Sequence, residues 1–249
     1  MKNITGLSRA EVNELVEALF ESDPEPTWPP VLGLWTSVVV TLAYWRKNRT
    51  EAELGETYGV SQPTVSRAVC SITPLLVGLL AGWAPAADDA LVPGRVYVVD
   101  GTLLPCWSWA DQEGLWSGKH KTTGVNVQVA CDLAGRLVWV SDPQPGSRND
   151  TWCLDASGAL DGLDPSQVLA DRGYVGRGMT TPVKKPLCRD LTTAEETHNE
   201  EVSKIRCVVE RTIANLKTWR VLHTDYRRPF HTFEQTITAI VGLIFWIGA

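Results

Sequence analysis

The segment from Lys204 to Lys217, KIRCVVERTIANLK, sets one acid, Glu210, between two bases, Arg206 and Lys217, at the edge of an apolar helical repeat. At about 100° per residue these three fall within roughly 40° of one another, and Ile205, Val209, Ile213 and Leu216 fill the adjacent arc. Charges on a solvated face normally scatter opposite the core, so an acid flanked by bases at the core's border suits the docking of something anionic. Two further acids close strongly β-forming runs. Asp100 follows VYVV and precedes Gly101-Thr102, and Asp171 follows VLA and precedes Arg172-Gly173-Tyr174. The C-terminal end of a buried strand is where the backbone leaves the sheet and a site can open. An aspartate there also commonly caps the next turn, and either one alone supports no more than that. Together with Glu210 they form a set of hard oxygen donors of the kind that selects Mg²⁺ or Mn²⁺. Two such ions roughly 3.5 to 4 Å apart can activate a nucleophile and stabilise the leaving oxygen of an in-line phosphoryl displacement, with Arg206 and Lys217 holding phosphates.

These residues need elements to position them. The apolar spacing predicts one long helix from about Thr192 to Trp219. RVYVVD, GVNVQVACD and GRLVWVSD read as strands, the last two joined by a short turn containing Gly135. A short helix around 150–159, a strand SQVLAD and another short strand near Thr181 complete a mixed α and β order that begins with antiparallel strands. Upstream, an amphipathic helix from about 8 to 22 opens at Ser8, with Glu11 at capping-box spacing. ESDPEPTWPP breaks it, because its four prolines cannot continue a helix. An apolar helix follows from about Val31 to Arg46.

Next comes RTEAELGETYGVSQPTVSRAVCSITPLL. Thr50 can cap a short helix, Gly59 can supply the positive φ that stops it, and Ser61 can cap a second helix with Pro63 in its first turn. Two short helices joined at a glycine, with Val60, Val65 and Val69 inward, match the helix-turn-helix pattern. Gln62, Thr64, Ser66 and Arg67 would then face outward, suited to bases and phosphates. The alternative is a plain helical hairpin. WAPAADDALVPG reads as a linker, dividing an all-α domain at 1–87 from an α/β domain at 88–249.

Composition narrows the class. With 249 residues, 44% of them hydrophobic, the chain can bury a full core. Six cysteines with no C-x-x-C pair and no histidine at zinc-finger spacing argue against structural zinc and a disulfide frame, and for free thiols in a reducing cytoplasm. The N-terminus lacks the apolar core of a signal peptide. The longest apolar runs, VLGLWTSVVVTLAYW and TITAIVGLIFWIGA, are shorter than the roughly 18 to 20 residues of a membrane span, so no membrane partner is expected. A formal net charge of −6 counts against nucleic acid. Its distribution softens that objection, for residues 1–30 hold six acids against two bases, whereas Arg177 to Arg228 holds eleven bases against seven acids. A basic stripe is what phosphate binding uses.

Other residues carry weaker signals. In WSWADQEGLWSGKHKTTG, Trp107, Trp109 and Trp116 stand near Lys119, His120 and Lys121. Aromatics beside bases can stack on an unpaired nucleotide, and sheet packing explains at least the first two tryptophans equally well. His120 reads as a phosphate contact rather than a metal ligand or general base. Arg227-Arg228-Pro229 reads as a solvated turn. Asp150 competes for the role of second acid. Asp171 is preferred because it ends a strand, whereas Asp150 follows a Gly-Ser-Arg-Asn turn and reads as a helix cap or ligand-orienting group.

The segments VVDGT, LADRGY and IRCVVERTIANLK resemble the three acidic signatures of DDE transposases, specifically the IS5 and PIF/Harbinger group, in which Arg-x3-Glu-x6-Lys marks the third acid. Arg206, Glu210 and Lys217 meet every spacing. GSRNDT, ending at Thr151, is similar to the Gly-Ser-x-x-Asp-Ser/Thr element of that group, and the helix-turn-helix lies where the group carries one. The resemblance implies an RNase H-like core with the first acid on a central first strand, and Asp100, Asp171 and Glu210 as the catalytic, metal-binding triad for Mg²⁺ or Mn²⁺, two ions in all. It implies a transposase that cuts at element ends and joins the 3′-hydroxyl to target DNA. Its partners would be double-stranded DNA, as terminal inverted repeats and target, and further copies of itself assembled on that DNA. Two other readings stand beside it: a helix-turn-helix DNA-binding protein that no longer cuts, and a metal-dependent nuclease acting on other substrates.

Overall fold

The structure, a computed structural model, describes residues 1–22, 27–109 and 111–248. Two expectations touch the remaining positions: the proline break includes Pro24 and Pro26, and the aromatic and basic stretch includes Ala110, all outside the described residues. In chain order the elements are α1 (Lys2–Thr5), α2 (Arg9–Ser22), α3 (Gly33–Lys47), α4 (Glu51–Tyr58), α5 (Gln62–Leu80), α6 (Ala87–Ala90), β1 (Tyr97–Pro105), β2 (Trp116–Ser117), β3 (Thr122–Cys131), β4 (Leu137–Val140), β5 (Gln144–Pro145), α7 (Asp150–Ala156), β6 (Val168–Leu169), α8 (Thr193–Leu216) and α9 (Phe233–Gly248). The class is mixed α/β with a helical N-terminal region. Two compact units divide the chain, the first made of 1–84, 105–107 and 216–249, the second of 85–104 and 108–215. The last helix therefore packs with the first unit, although chain order assigns it to the expected domain at 88–249, and that domain division remains a proposal.

The first unit is helical because its caps and apolar stripes agree. Ser8 and Glu11 exchange side-chain and backbone hydrogen bonds at the start of α2. Thr50 and Glu53 form a full capping box on α4, and Gly59 closes that helix at φ +67°. Ser61 occupies the cap position of α5 without a capping bond; its Oγ lies 3.0 Å from Thr64 Oγ1 instead. The second helix of the pair is long rather than short, running through Pro74 to Leu80. Val65, Ala68, Ile72, Leu76 and Leu80 are buried along it, and α3 and α9 cover that face.

Two expectations are corrected in this unit. Arg228 is not on a solvated turn. It is 9% exposed, pairs with Glu51 on α4, donates to Cys70 Sγ at 2.8 Å and sits over the Tyr44 ring. Arg227 likewise donates to the carbonyl and side-chain oxygens of Asn48. Second, two helical segments, Gln62–Trp83 and Phe230–Gly248, are long and apolar enough to cross a membrane by length and composition. The first of these lies outside both apolar runs named from the sequence and the second begins before Thr236, where its run starts; mutual packing of α5 and α9 accounts for the apolarity.

The second unit is built on a sheet in which β3 and β6 flank β1, with β2, β4 and β5 pairing with β3. The first strand is thus interior, as the resemblance implies. β1 and β6 run parallel with Tyr97 opposite Val168 and Val98 opposite Leu169. β3 and β4 are antiparallel, turning at Gly135 with φ +80°. The expected strand near Thr181 is reduced to one bridge between Leu169 and Thr180. Strand alternation sends Tyr97 and Val99 into a core with Ala130, Trp139, Leu154 and Tyr174, and Val98 to the other face, where it meets Cys131, Leu169 and Val209 of α8.

The α5 and α9 crossing yields a stability prediction. A methyl group on Gly242 would lie 2.2 Å from the Leu80 carbonyl oxygen, a backbone atom that cannot swing aside. Gly242→Ala should therefore destabilise the protein by about 1 to 3 kcal/mol, the usual cost of overpacking, despite alanine's better helix propensity. The urea midpoint measures this, and an unchanged or raised midpoint would refute the close approach.

Candidate functional site

Asp100 was expected to close a strand, but β1 continues through it to Pro105, because Leu103 and Leu104 are as buried as Val98 and Val99. Alternation along β1 gives Asp100 the parity of Val98, the face that α8 covers. Arg206 of α8 meets it there, with Nη2 3.4 Å from Asp100 Oδ2, while Asp100 Oδ1 accepts the Gly101 N–H at 2.9 Å. Asp171 stands as far beyond Leu169 on β6 as Asp100 stands beyond Val98 on β1. Parallel neighbours lie about 4.8 Å apart, so the register carries the two carboxylates side by side. Asp171 also caps the turn Arg172–Tyr174, accepting the Gly173 N–H at 2.6 Å.

The electrostatics reflect that placement. Burial pushes the Asp100 carboxyl up to about 6; the Arg206 charge draws it down, the Asp171 charge raises it, the Gly101 N–H lowers it and the Asp150 charge raises it. Arg206 Nε is buried and makes no hydrogen bond. Asp100 and Asp171 suit a hard divalent cation, being oxygen donors whose charges push against one another with the Arg206 guanidinium at 3.4 Å from Asp100 to offset them. Glu210, four residues after Arg206 and on the same side of α8, is exposed. Among the described residues no three His, Cys, Asp or Glu side chains stand close enough to hold a metal ion, so Glu210 is not gathered with the two aspartates.

The other expected site residues divide. Lys119, His120 and Lys121 are exposed at the tip between β2 and β3, where Lys121 has φ +53° and its N–H bonds the Ser117 carbonyl. Lys119 Nζ lies 2.6 Å from Asp150 Oδ2. Asp150 is the first residue of α7, whose cap is Asn149, with its Oδ1 accepting the Trp152 N–H. Lys217 falls past the end of α8, half-buried, and burial lowers its pKa, so it does not extend the helical face of Arg206 and Glu210. In the first unit Arg67 and Gln62 are exposed and Ser66 is partly so. Gln62 donates to Glu51, and Thr64 is corrected from an outward to a buried position, 7% exposed, because it sits on the stripe of Val65 and Ala68. Trp107 and Trp116 are exposed, at 51% and 58%, as stacking requires.

Sequence reasoning missed Asn126, Gln128 and Tyr174. Gln128 Oε1 accepts the Tyr174 hydroxyl at 2.6 Å, Gln128 Nε2 donates to Asn126 Oδ1 at 3.0 Å, and Asn126 Nδ2 donates to Asp150 Oδ1 at 2.8 Å. The available signal was two amides at period two inside the otherwise apolar run GVNVQVAC.

Comparison with known proteins identifies the family. The profile described as "DDE superfamily endonuclease" matches residues 99–244, and "Helix-turn-helix of DDE superfamily endonuclease" matches 36–82. The chain is 30% identical over 223 residues to the "Putative transposase for insertion sequence element IS112" of Streptomyces albus G, covering 88% of this chain and 83% of that one. It is 26% identical over 254 residues to the "Probable transposase for insertion sequence element IS702" of Microchaete diplosiphon, covering 97% and 92%. It is 25% identical over 234 residues to the "Putative nuclease HARBI1" of Xenopus laevis, covering 85% and 66%.

The raised Asp100 carboxyl gives a pH prediction for the metal-free protein. The folded state holds this proton more tightly than the unfolded chain, whose value is near 3.8. Stability is therefore fullest below that pH and declines as pH rises through about 6, by about 3 kcal/mol at most. Asp100→Asn should be more stable than wild type at pH 7, with the gap closing near pH 4. Urea unfolding at both pH values tests it, and a gap that does not change with pH would contradict it.

Proposed function

The chain belongs to the DDE superfamily endonucleases, enzymes that act on DNA by phosphoryl transfer, and from that premise we propose that it is a DNA transposase that cleaves element ends and joins the freed 3′-hydroxyl to target DNA. The observation that carries the reading is the parallel register of β1 and β6, which sets Asp100 beside Asp171 under the helix bearing Arg206 and Glu210. In the first reaction a water oxygen attacks the phosphodiester and the 3′ oxygen leaves; in the second that 3′-hydroxyl attacks a target phosphodiester and displaces another 3′ oxygen. Neither step requires a covalent link to the protein.

Divalent-metal dependence is a property of the superfamily. Asp100 and Asp171 would hold the ion, Mg²⁺ or Mn²⁺ and two in number in our reading, and Glu210, which is not gathered with them here, would join as third ligand when metal binds. Such an ion would supply positive charge to the phosphate oxygens during attack. Arg206 orients Asp100 and restrains its charge; the exposed Lys119, His120 and Lys121 face DNA phosphates, with Lys217 as a further phosphate contact. The helix-turn-helix, through Gln62, Ser66 and Arg67, would recognise terminal repeats, and copies of the chain would assemble on them. A nuclease without strand transfer is the second reading, favoured by the similarity to proteins named as nucleases.

Glu210→Gln preserves helix and volume while removing the charge. Cleavage of a terminal-repeat duplex with Mg²⁺ should fall at least about a hundredfold, while melting temperature stays nearly unchanged, because an exposed charge contributes only about 0 to 1 kcal/mol. A variant that cuts at the wild-type rate would sink Glu210 as third acid. Isothermal titration with Mn²⁺ should show binding that Asp171→Asn weakens severely and Asp150→Asn weakens less. Strand transfer of a pre-cleaved repeat end into plasmid separates transposase from nuclease.

A further inference from the structure

Asp150 lies beside the two aspartates yet is held quite differently. Its side chain is 11% exposed, and both oxygens are engaged, Oδ1 by Asn126 and Oδ2 by Lys119. Behind Asn126 stands the chain of amides that ends at the Tyr174 hydroxyl. Gln128 and Tyr174 are fully buried and Asn126 nearly so. Each buried amide must satisfy its donors and acceptors, and here the phenol can only donate to Gln128 Oε1, which leaves Gln128 Nε2 to donate to Asn126 Oδ1 and Asn126 Nδ2 to donate to Asp150. Burial keeps the Tyr174 phenol far above its usual pKa, so the direction holds at any working pH. The line is therefore polarised toward Asp150.

Its distance from the first strand is also set. A methyl group on Gly101 would lie 2.4 Å from Asp150 Oδ1 and 2.8 Å from Gln128 Nε2, so the polar line packs on bare backbone at the residue after Asp100. At the other end, the Lys119 side chain is 61% exposed. Burial acts to lower its pKa, but the hydrogen bond and charge of Asp150, with the charges of Asp171 and Asp100, outweigh that and raise it. An ammonium has three N–H donors, and the bond to Asp150 uses one. A free lysine gives up rotamer freedom when it binds; a lysine already tethered gives up less.

We infer that Asp150 is a positioning residue that fixes the Lys119 ammonium beside Asp100 to receive one phosphate of the DNA backbone, and that it is not a metal ligand. A cation bound to Asp150 would have to displace an ammonium at 2.6 Å. The inference rests on the reading that this site works on DNA.

The test uses the full chain, a short repeat duplex and no added metal, so cutting does not enter. Lys119→Ala should weaken binding about three- to tenfold and reduce the slope of log Kd against log salt by about one phosphate's worth. Asp150→Asn, which keeps the lysine's charge, should weaken binding similarly at fixed salt, and the double variant should bind no worse than Lys119→Ala alone. Both single variants should leave Mn²⁺ affinity, measured by titration calorimetry, within about twofold. A tenfold loss of Mn²⁺ affinity in Asp150→Asn, additive losses in the double variant, or an unchanged slope in Lys119→Ala would each overturn it. Should Asp150→Asn fail to fold, Tyr174→Phe, which removes only the hydroxyl at the head of the line, replaces it with the same expectations and the same refuting outcomes. A wild-type chain that binds with the expected slope but never cuts would defeat the transposase reading and leave this one standing.

Discussion

Two carboxylates at matching positions on adjacent parallel strands repel each other, and the second unit is organised around that repulsion. Because β1 and β6 pair in parallel register at Val98 and Leu169, Asp100 and Asp171 leave that pairing at matching positions two residues on, where the Asp171 charge raises the Asp100 carboxyl. The fold meets the charge with Arg206, delivered by α8, whose Val209 anchors the helix in the apolar cluster of Val98, Cys131 and Leu169. One guanidinium at 3.4 Å does not cancel the burial of Asp100, whose carboxyl remains near 6. The site as folded is short of positive charge, the condition under which a divalent cation or a metal-bridged phosphate binds.

The neighbouring strand β3 solves a different problem. Polar side chains inside a core destabilise it unless every group finds a partner. Asn126 and Gln128 share the face of Ala130, and the line from Tyr174 to Lys119 gives each amide both a donor and an acceptor role. Neighbouring carboxylates are thus in different states, Asp100 and Asp171 held by one or two donors and Asp150 by an amide and an ammonium. That difference separates residues of the same type a short distance apart.

In the first unit a buried charge pair takes the comparable structural part. Arg228 comes from beyond α8, yet it lies against Glu51 and Cys70 of the helix-turn-helix. Gln62 and Arg228 share Glu51, so the start of α5 is tied to the start of α4 through one carboxylate. The orientation of the helix pair therefore depends on chain that follows it by well over a hundred residues.

The local signals in the sequence determined the local structure. Thr50 with Glu53, Ser8 with Glu11, and the glycines at 59 and 135 act within a few residues of themselves, and the caps and turns they announce are present. Period-two runs located β1 and β3, the Arg-x3-Glu spacing located a helix with one polar edge, and the three acidic signatures identified the family. Tertiary structure decided what depends on partners distant in sequence. It extended β1 through Asp100, because Leu103 and Leu104 find apolar neighbours; buried Arg228, expected on a solvated turn, and Thr64, expected on the outer helix face; ended α8 before Lys217; and joined Asn126 to Asp150. Alternation along a strand tells which residues share a face, but which of the two faces meets α8 and which meets the polar line is set only when the sheet is covered on both sides.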